Sequence, residues 1–297
     1  VGGGRWNQAG DDIGTTDSSA YATVAGGHRN TASDGYVTVG GGEANSASGL
    51  HATVSGGEQN TASHMGATVG GGRTNRASGD DATVGGGYEN TASQDGAVVS
   101  GGKYNEADGQ HAVVGGGGFN MASEGYATVA GGFANAATGA RATVGGGEHN
   151  GASKDYATVG GGLYNVADGP GALVGGGGYD GDDTLGNQAF AAASTIGGGY
   201  GNVISATADY ATVSGGRENT VSAGNSTISG GGYNVVTDTY ATVGGGYHNR
   251  AGGREVTIAG GASNIARNDA ATVGGGTHNI ASGYISTVTG GAFNEAS

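Results

Sequence analysis

The triplet Ala22-Thr23-Val24 returns in register every 15 residues, as Val37-Thr38-Val39, Ala52-Thr53-Val54 and onward to Ser286-Thr287-Val288. One rung reads Y-A-T-V-G-G-G-x-x-N-x-A-S-x-x, and its positions are numbered here 1 to 15 from Tyr21. A unit this short cannot bury its own apolar face and must stack on its neighbours. The expected architecture is an all-β parallel β-solenoid or β-roll of about nineteen rungs, a single repeat-built segment over 1–297.

Composition excludes other readings of so glycine-rich a chain. Gly supplies 72 of 297 residues without an every-third spacing and there is one Pro, Pro170, so the chain is not a collagen helix. A flexible Gly/Ser linker would not hold an aliphatic residue at one position of every rung. No apolar run is long enough to span a membrane, and no signal peptide is visible. The chain opens and closes inside a rung, as expected of a segment of a longer product. The 11 Lys and Arg are scattered singly against a net charge of −14, which disfavours nucleic acid as a partner. Cysteine is absent, so there is no disulfide or thiolate chemistry.

Position 4 is Val or Ile in each rung (Val24, Val39, Val54, Ile196, Ile228, Val288), and period-two alternation puts it with position 2 on the inward face. Position 12 is mostly Ala and enlarges to Ile204, Val221 and Val236 where Ser194 and Ser226 appear at position 2. That pairing suggests that the larger residue fills volume the other wall gives up. Gly-Gly at positions 6 and 7 predicts a turn needing positive φ and close backbone approach. The expected rung is a strand over positions 1–5, the Gly-Gly turn, a strand over 9–12 and a polar turn at 13–15. Asn at position 10 (Asn30, Asn45, Asn279) predicts a buried amide column hydrogen-bonded along the stack, with Asn187 in place of Asp180 after an inserted loop.

Insertions interrupt the period near 10–20, 179–186 and 205–209, at turns where a solenoid tolerates them. Two carry Gly-Asp-Asp, making Asp11, Asp12, Asp180, Asp182 and Asp183 candidate Ca²⁺ ligands, with solvated turns as the alternative. Neither loop has EF-hand or nonapeptide spacing, and no other cofactor is indicated. The seven His residues form no metal-spaced set, and Ser recurs as a turn residue with no partnered base, so no catalytic constellation is expected.

Aromatics concentrate at positions 8 and 9 and at position 1, flanking the strands outside the expected core. Tyr88, Tyr104, Tyr164 and Tyr233 are the candidate contact surface, because rings offer large area at low entropy cost. The contact could be a protein interface or, behind it, a stacked sugar; the alternative is that the rings shield neighbouring turns of the same stack. Each rung buries little apolar area against the entropy of ordering it, which favours association with other copies. The tiny residue at position 5 would let another chain come close.

The rung Tyr126-Ala127-Thr128-Val129-Ala130-Gly131-Gly132, followed by Asn135-Ala136-Ala137, resembles the head repeats of trimeric autotransporter adhesins. Similar Gly-Gly-x-x-Asn-x-Ala runs occur in phage-type and secreted fibres. Here Gly replaces the family's second aliphatic and Asn stands where it has the first Ala. The resemblance implies a parallel β-roll, trimerisation and adhesion at a cell surface. The expected function is a structural or adhesive segment of an extracellular fibre or filament. It would associate with copies of itself as a trimer or filament, and would contact a host or environmental surface ligand. The alternative is ice binding by the repeated Thr at position 3.

Overall fold

A computed structural model describes residues 1–10 and 21–297. The chain is all-β and forms a parallel β-solenoid of about 18–19 turns of about 15 residues. It divides into two compact units, Val1–Arg141 and Ala142–Ser297. Each is built from the same rung.

In the first unit, one parallel ladder runs through the position 3–4 strands, with Thr38–Val39 beside Thr53–Val54 and Thr68–Val69 beside Thr83–Val84. A second runs through positions 11–12, with Thr61–Ala62 beside Arg76–Ala77. A third consists of single bridges at position 8, from Arg5 through His28, Glu43 and Glu58 to Arg73. The second unit repeats this scheme, for example Thr227–Ile228 beside Thr242–Val243 and Val203–Ile204 beside Thr220–Val221. The inward residues are those the alternation selected: Val39, Val129, Ala127, Ala137 and Ile196 are fully buried.

The strands are shorter than the sequence suggests, two residues where five and four were expected. The cause is backbone handedness. Positions 1 and 9 are left-handed in most rungs although few are Gly: Tyr36 has φ 57°, Tyr126 62°, Tyr104 57° and Phe119 58°. Such conformations cost a non-glycine residue about 1–2 kcal/mol. They flip the amide direction. Most N–H groups that bond between rungs donate to the next one, as Thr53 does to Ala67 and Glu58 to Gly72, both at 2.9 Å. The left-handed residues donate backward, His51 to Gly35 at 3.0 Å and Phe119 to Lys103 at 3.0 Å. Each is thereby bonded in its strained conformation. Position 1 is also the third residue of a four-residue turn closed by position 2, as in Ala52 N–H to the Gly49 carbonyl at 2.8 Å, and type II turns need positive φ there.

The Gly-Gly turn depends on glycine for two reasons. Gly117 has φ 86°, and a Cβ there would collide with the carbonyl of Gly132 in the next rung. The buried Asn column closes the turn. Asn120 Nδ2 donates to the carbonyls of Gly116 at 2.8 Å and Gly132 at 2.9 Å, while its Oδ1 accepts the Asn135 N–H at 3.0 Å. No described buried side-chain polar atom lacks a partner. Asn187 does take the column's place after the inserted loop, its N–H donating to Asn165 Oδ1 at 2.9 Å.

The small residue at position 5 has a cause within the stack itself. A Cβ on Gly160 would strike the carbonyl of Gly175 one rung on, so stacking within the chain already favours small side chains there. The Ser substitutions are also accommodated locally: Ser194 Oγ donates to the Ala191 carbonyl at 2.7 Å and Ser226 Oγ to that of Asp238 at 3.0 Å. Ser194, Ser226, Ile204, Val221 and Val236 are all buried, as the volume-exchange argument requires.

Candidate functional site

Two surface features fall on residues singled out by the sequence: the aromatic columns and the acidic insertion. Because positions 8 and 9 adjoin the third ladder, rings on successive rungs lie within contact distance. In the first unit Tyr88, Tyr104, Phe119 and Phe133 form a run, with successive ring centroids 5.4, 4.8 and 5.4 Å apart. Lys103 Nζ lies 5.5 Å from the Tyr88 ring and 5.0 Å from that of Tyr104. The Tyr88 phenol is pushed up to about 12, first by hydrogen bonding with Glu89 and then by Tyr104, because its phenolate would face other negative or acceptor groups. A separate column at position 1 stacks Tyr21 on Tyr36 at 4.9 Å and Tyr36 on His51 at 5.0 Å.

The four candidate contact tyrosines differ in access. Tyr164 is exposed and stacks on His149 at 4.8 Å with an interplanar angle of 4°. Tyr88, Tyr104 and Tyr233 are half-buried by neighbouring rings and side chains. In the second unit Tyr233 Oη donates to Glu218 Oε1 at 3.1 Å, and burial followed by that carboxylate raises its pKa. The stacks thus shield neighbouring turns and remain partly accessible.

Sequence reasoning missed one aromatic. Tyr200 was expected outside the core with the other position-8 rings and is 7% exposed. The reason is non-local: the insertion beginning at Tyr179 folds as a hairpin, bridged Tyr179 to Thr184, and Leu185 lies against Gly201 beside it. Burial first, then the Asp183 and Asp180 carboxylates, raises the Tyr200 phenol.

In that hairpin Asp180 Oδ1 accepts the N–H groups of Asp182 at 3.1 Å and Asp183 at 3.0 Å, and its Oδ2 lies 3.5 Å from Arg217 Nη2. Those backbone donors, Asp183 first, lower its pKa. Asp183 Oδ1 accepts the Thr184 N–H at 2.7 Å. The candidate Ca²⁺ ligands Asp180, Asp182 and Asp183 therefore organise a turn, and among the described residues no group of three or more acidic or His side chains is arranged to hold a metal ion. Asp11 and Asp12 lie outside the described residues.

The outer face of the position 3–4 ladder carries the repeated Thr, in unbroken register from Thr195 through Thr212, Thr227, Thr242, Thr257 and Thr272 to Thr287. No helix among the described residues is long and apolar enough to cross a membrane. No family model matches the chain, and none of the curated proteins matches it either.

Proposed function

We propose that this chain is a structural and adhesive segment of an extracellular fibre that associates with copies of itself, and that it is not an enzyme. The observation that carries the reading is the rung-to-rung run of accessible rings, Tyr88 through Phe133, on an otherwise self-satisfied polar scaffold. Large rings left partly open on a rigid lattice supply contact area without ordering cost. The likeness of its rungs to trimeric autotransporter adhesin heads supports the same reading, with a trimer as the assembly it implies. Sedimentation and electron microscopy of the purified chain test it: trimers or filaments are expected, and a stable monomer at high micromolar concentration would sink the self-association.

Ice binding is the second reading, favoured by the uninterrupted Thr register from Thr195 to Thr287. It has only one Thr per strand on that face, and the exposed rings of Tyr210 and Tyr240 stand two residues from Thr212 and Thr242. Measurable thermal hysteresis would favour it over the fibre.

A further inference from the structure

We propose that the groove between the position-9 and position-11 columns of the first unit, over residues 59–136, binds a linear neutral glycan; this deepens the adhesive reading and rests on it. Two cavities of about 410 and 460 Å³ lie end to end there and share Tyr104 and Glu106 as walls. Together they extend over six rungs, from Gln59 to Ala134 along the position-9 wall. The groove changes character along its length. Its first half presents Thr74, Thr91, Glu89 and Arg76, and its second half Phe119 and Met121.

An extended sugar chain matches both halves. Pyranose rings offer an apolar C–H face to an aromatic ring, and their hydroxyls donate to carboxylates and accept from amides and guanidinium groups. Other occupants fit less well. A peptide adding as a strand needs free backbone donors. Here the N–H groups of the floor are spent within the stack: Phe119 donates to Lys103, Asn120 to Asn105 Oδ1 and Met121 to Asn135, at 3.0, 3.0 and 2.9 Å. A polyanion would meet Glu89 and Glu106, with Arg76 the one cation among the lining residues, on a chain of net charge −14.

The test uses the full chain, calorimetry and three probes: hexasaccharides of β-1,4-linked glucose, β-1,4-linked N-acetylglucosamine and α-1,4-linked glucose. At least one should bind, and Tyr104→Ala with Phe119→Ala should weaken it tenfold or more. Position 9 already holds Ala in the left-handed conformation at Ala44 and Ala134, so that variant keeps the rung. Glu106→Gln, which preserves shape, should weaken binding severalfold, and Thr68→Lys with Thr83→Lys, on the other ladder, should leave it unchanged. Absence of binding by all three probes at millimolar concentration overturns the proposal, as does equal binding by the parent and the Tyr104/Phe119 variant. Sedimentation of the same samples separates the two readings: assembly without glycan binding sinks the groove proposal only, and glycan binding by a stable monomer sinks only the self-association.

Discussion

Asn45 reaches across the gap between rungs to the carbonyl of Gly57, 2.8 Å away, while the same Nδ2 holds the carbonyl of Gly41 in its own turn at 2.9 Å. One side chain therefore closes a glycine turn and fastens it to the next. This explains why Gly-Gly and Asn travel together: the glycines let the carbonyls approach, and the amide donates to both.

Removing one such amide should be costly. Asn105→Ala would strip the side-chain partner from the carbonyl of Gly101 and from the Asn120 N–H, while the Gly117 carbonyl keeps the Lys103 N–H at 2.9 Å. With about 1–3 kcal/mol for each of these two unsatisfied groups, a loss of about 2 kcal/mol or more is expected in urea unfolding. An unchanged midpoint would mean that water replaces the amide.

Two glycines should respond oppositely to alanine. Gly117 combines positive φ with a carbonyl in the path of a Cβ, so Gly117→Ala should destabilise by about 2 kcal/mol or more. Gly151 faces open space at position 11 with no positive φ, so Gly151→Ala should be neutral or stabilising by about 0.5–1 kcal/mol. Equal effects at both sites would overturn the account of the turn.

Much of this rung was legible before the structure. The fixed aliphatic at position 4, the paired glycines and the recurring Asn each report a constraint that one residue type satisfies best, and Val129, Gly117 and Asn120 sit as those constraints require. The left-handed positions were not legible, since Tyr36, Tyr126 and Phe119 are not residues that announce positive φ. Their conformation is held by backward hydrogen bonds between rungs, which no single rung encodes. Tyr200 was hidden for a similar reason, because the hairpin that covers it arrives from the preceding rung. The groove over residues 59–136 arises between two columns, so it belongs to the stack and to no motif within one repeat.

Val129 is fully buried in the position-4 column of the first unit. Val129→Asp would place a charge there without a partner, and the cost of burying it should unfold the local rungs. Circular dichroism melting should show a lowered or lost transition. A melting temperature like the parent's would put position 4 on the outside.

The acidic hairpin should respond to pH in one direction. The Asp180 pKa is lowered from 3.8 by backbone donors, so the folded hairpin prefers the carboxylate. That contribution is complete well above 3.8, the unfolded value, and is lost as pH falls through the lower folded value. The protection of the Asp182 and Asp183 amides, taken relative to their intrinsic exchange rates at each pH, should hold at neutral pH and fall as Asp180 is protonated. Asp180→Asn should flatten that dependence; an acid response that survives the substitution would assign it to another group.

The Thr face and the aromatic columns make opposite demands on function. Substituting Thr68, Thr83, Thr128, Thr143 and Thr158 by Lys places charge on outward positions of the 3–4 ladder, where each Thr is half-buried and each adjoining Val is inward. A fibre held by its rings should assemble and attach much as before. Replacing Tyr88, Tyr104, Tyr164 and Tyr233 by Ala removes accessible apolar area and the ring contacts at 5.4 and 4.8 Å, and should weaken association or attachment by tenfold or more. Light scattering and surface-binding assays read both sets. Hysteresis in the parent that disappears in the Thr→Lys set, with the Tyr→Ala set unaffected, would transfer the function to the Thr ladder, because only a regular hydroxyl-and-methyl array depends on those five positions together.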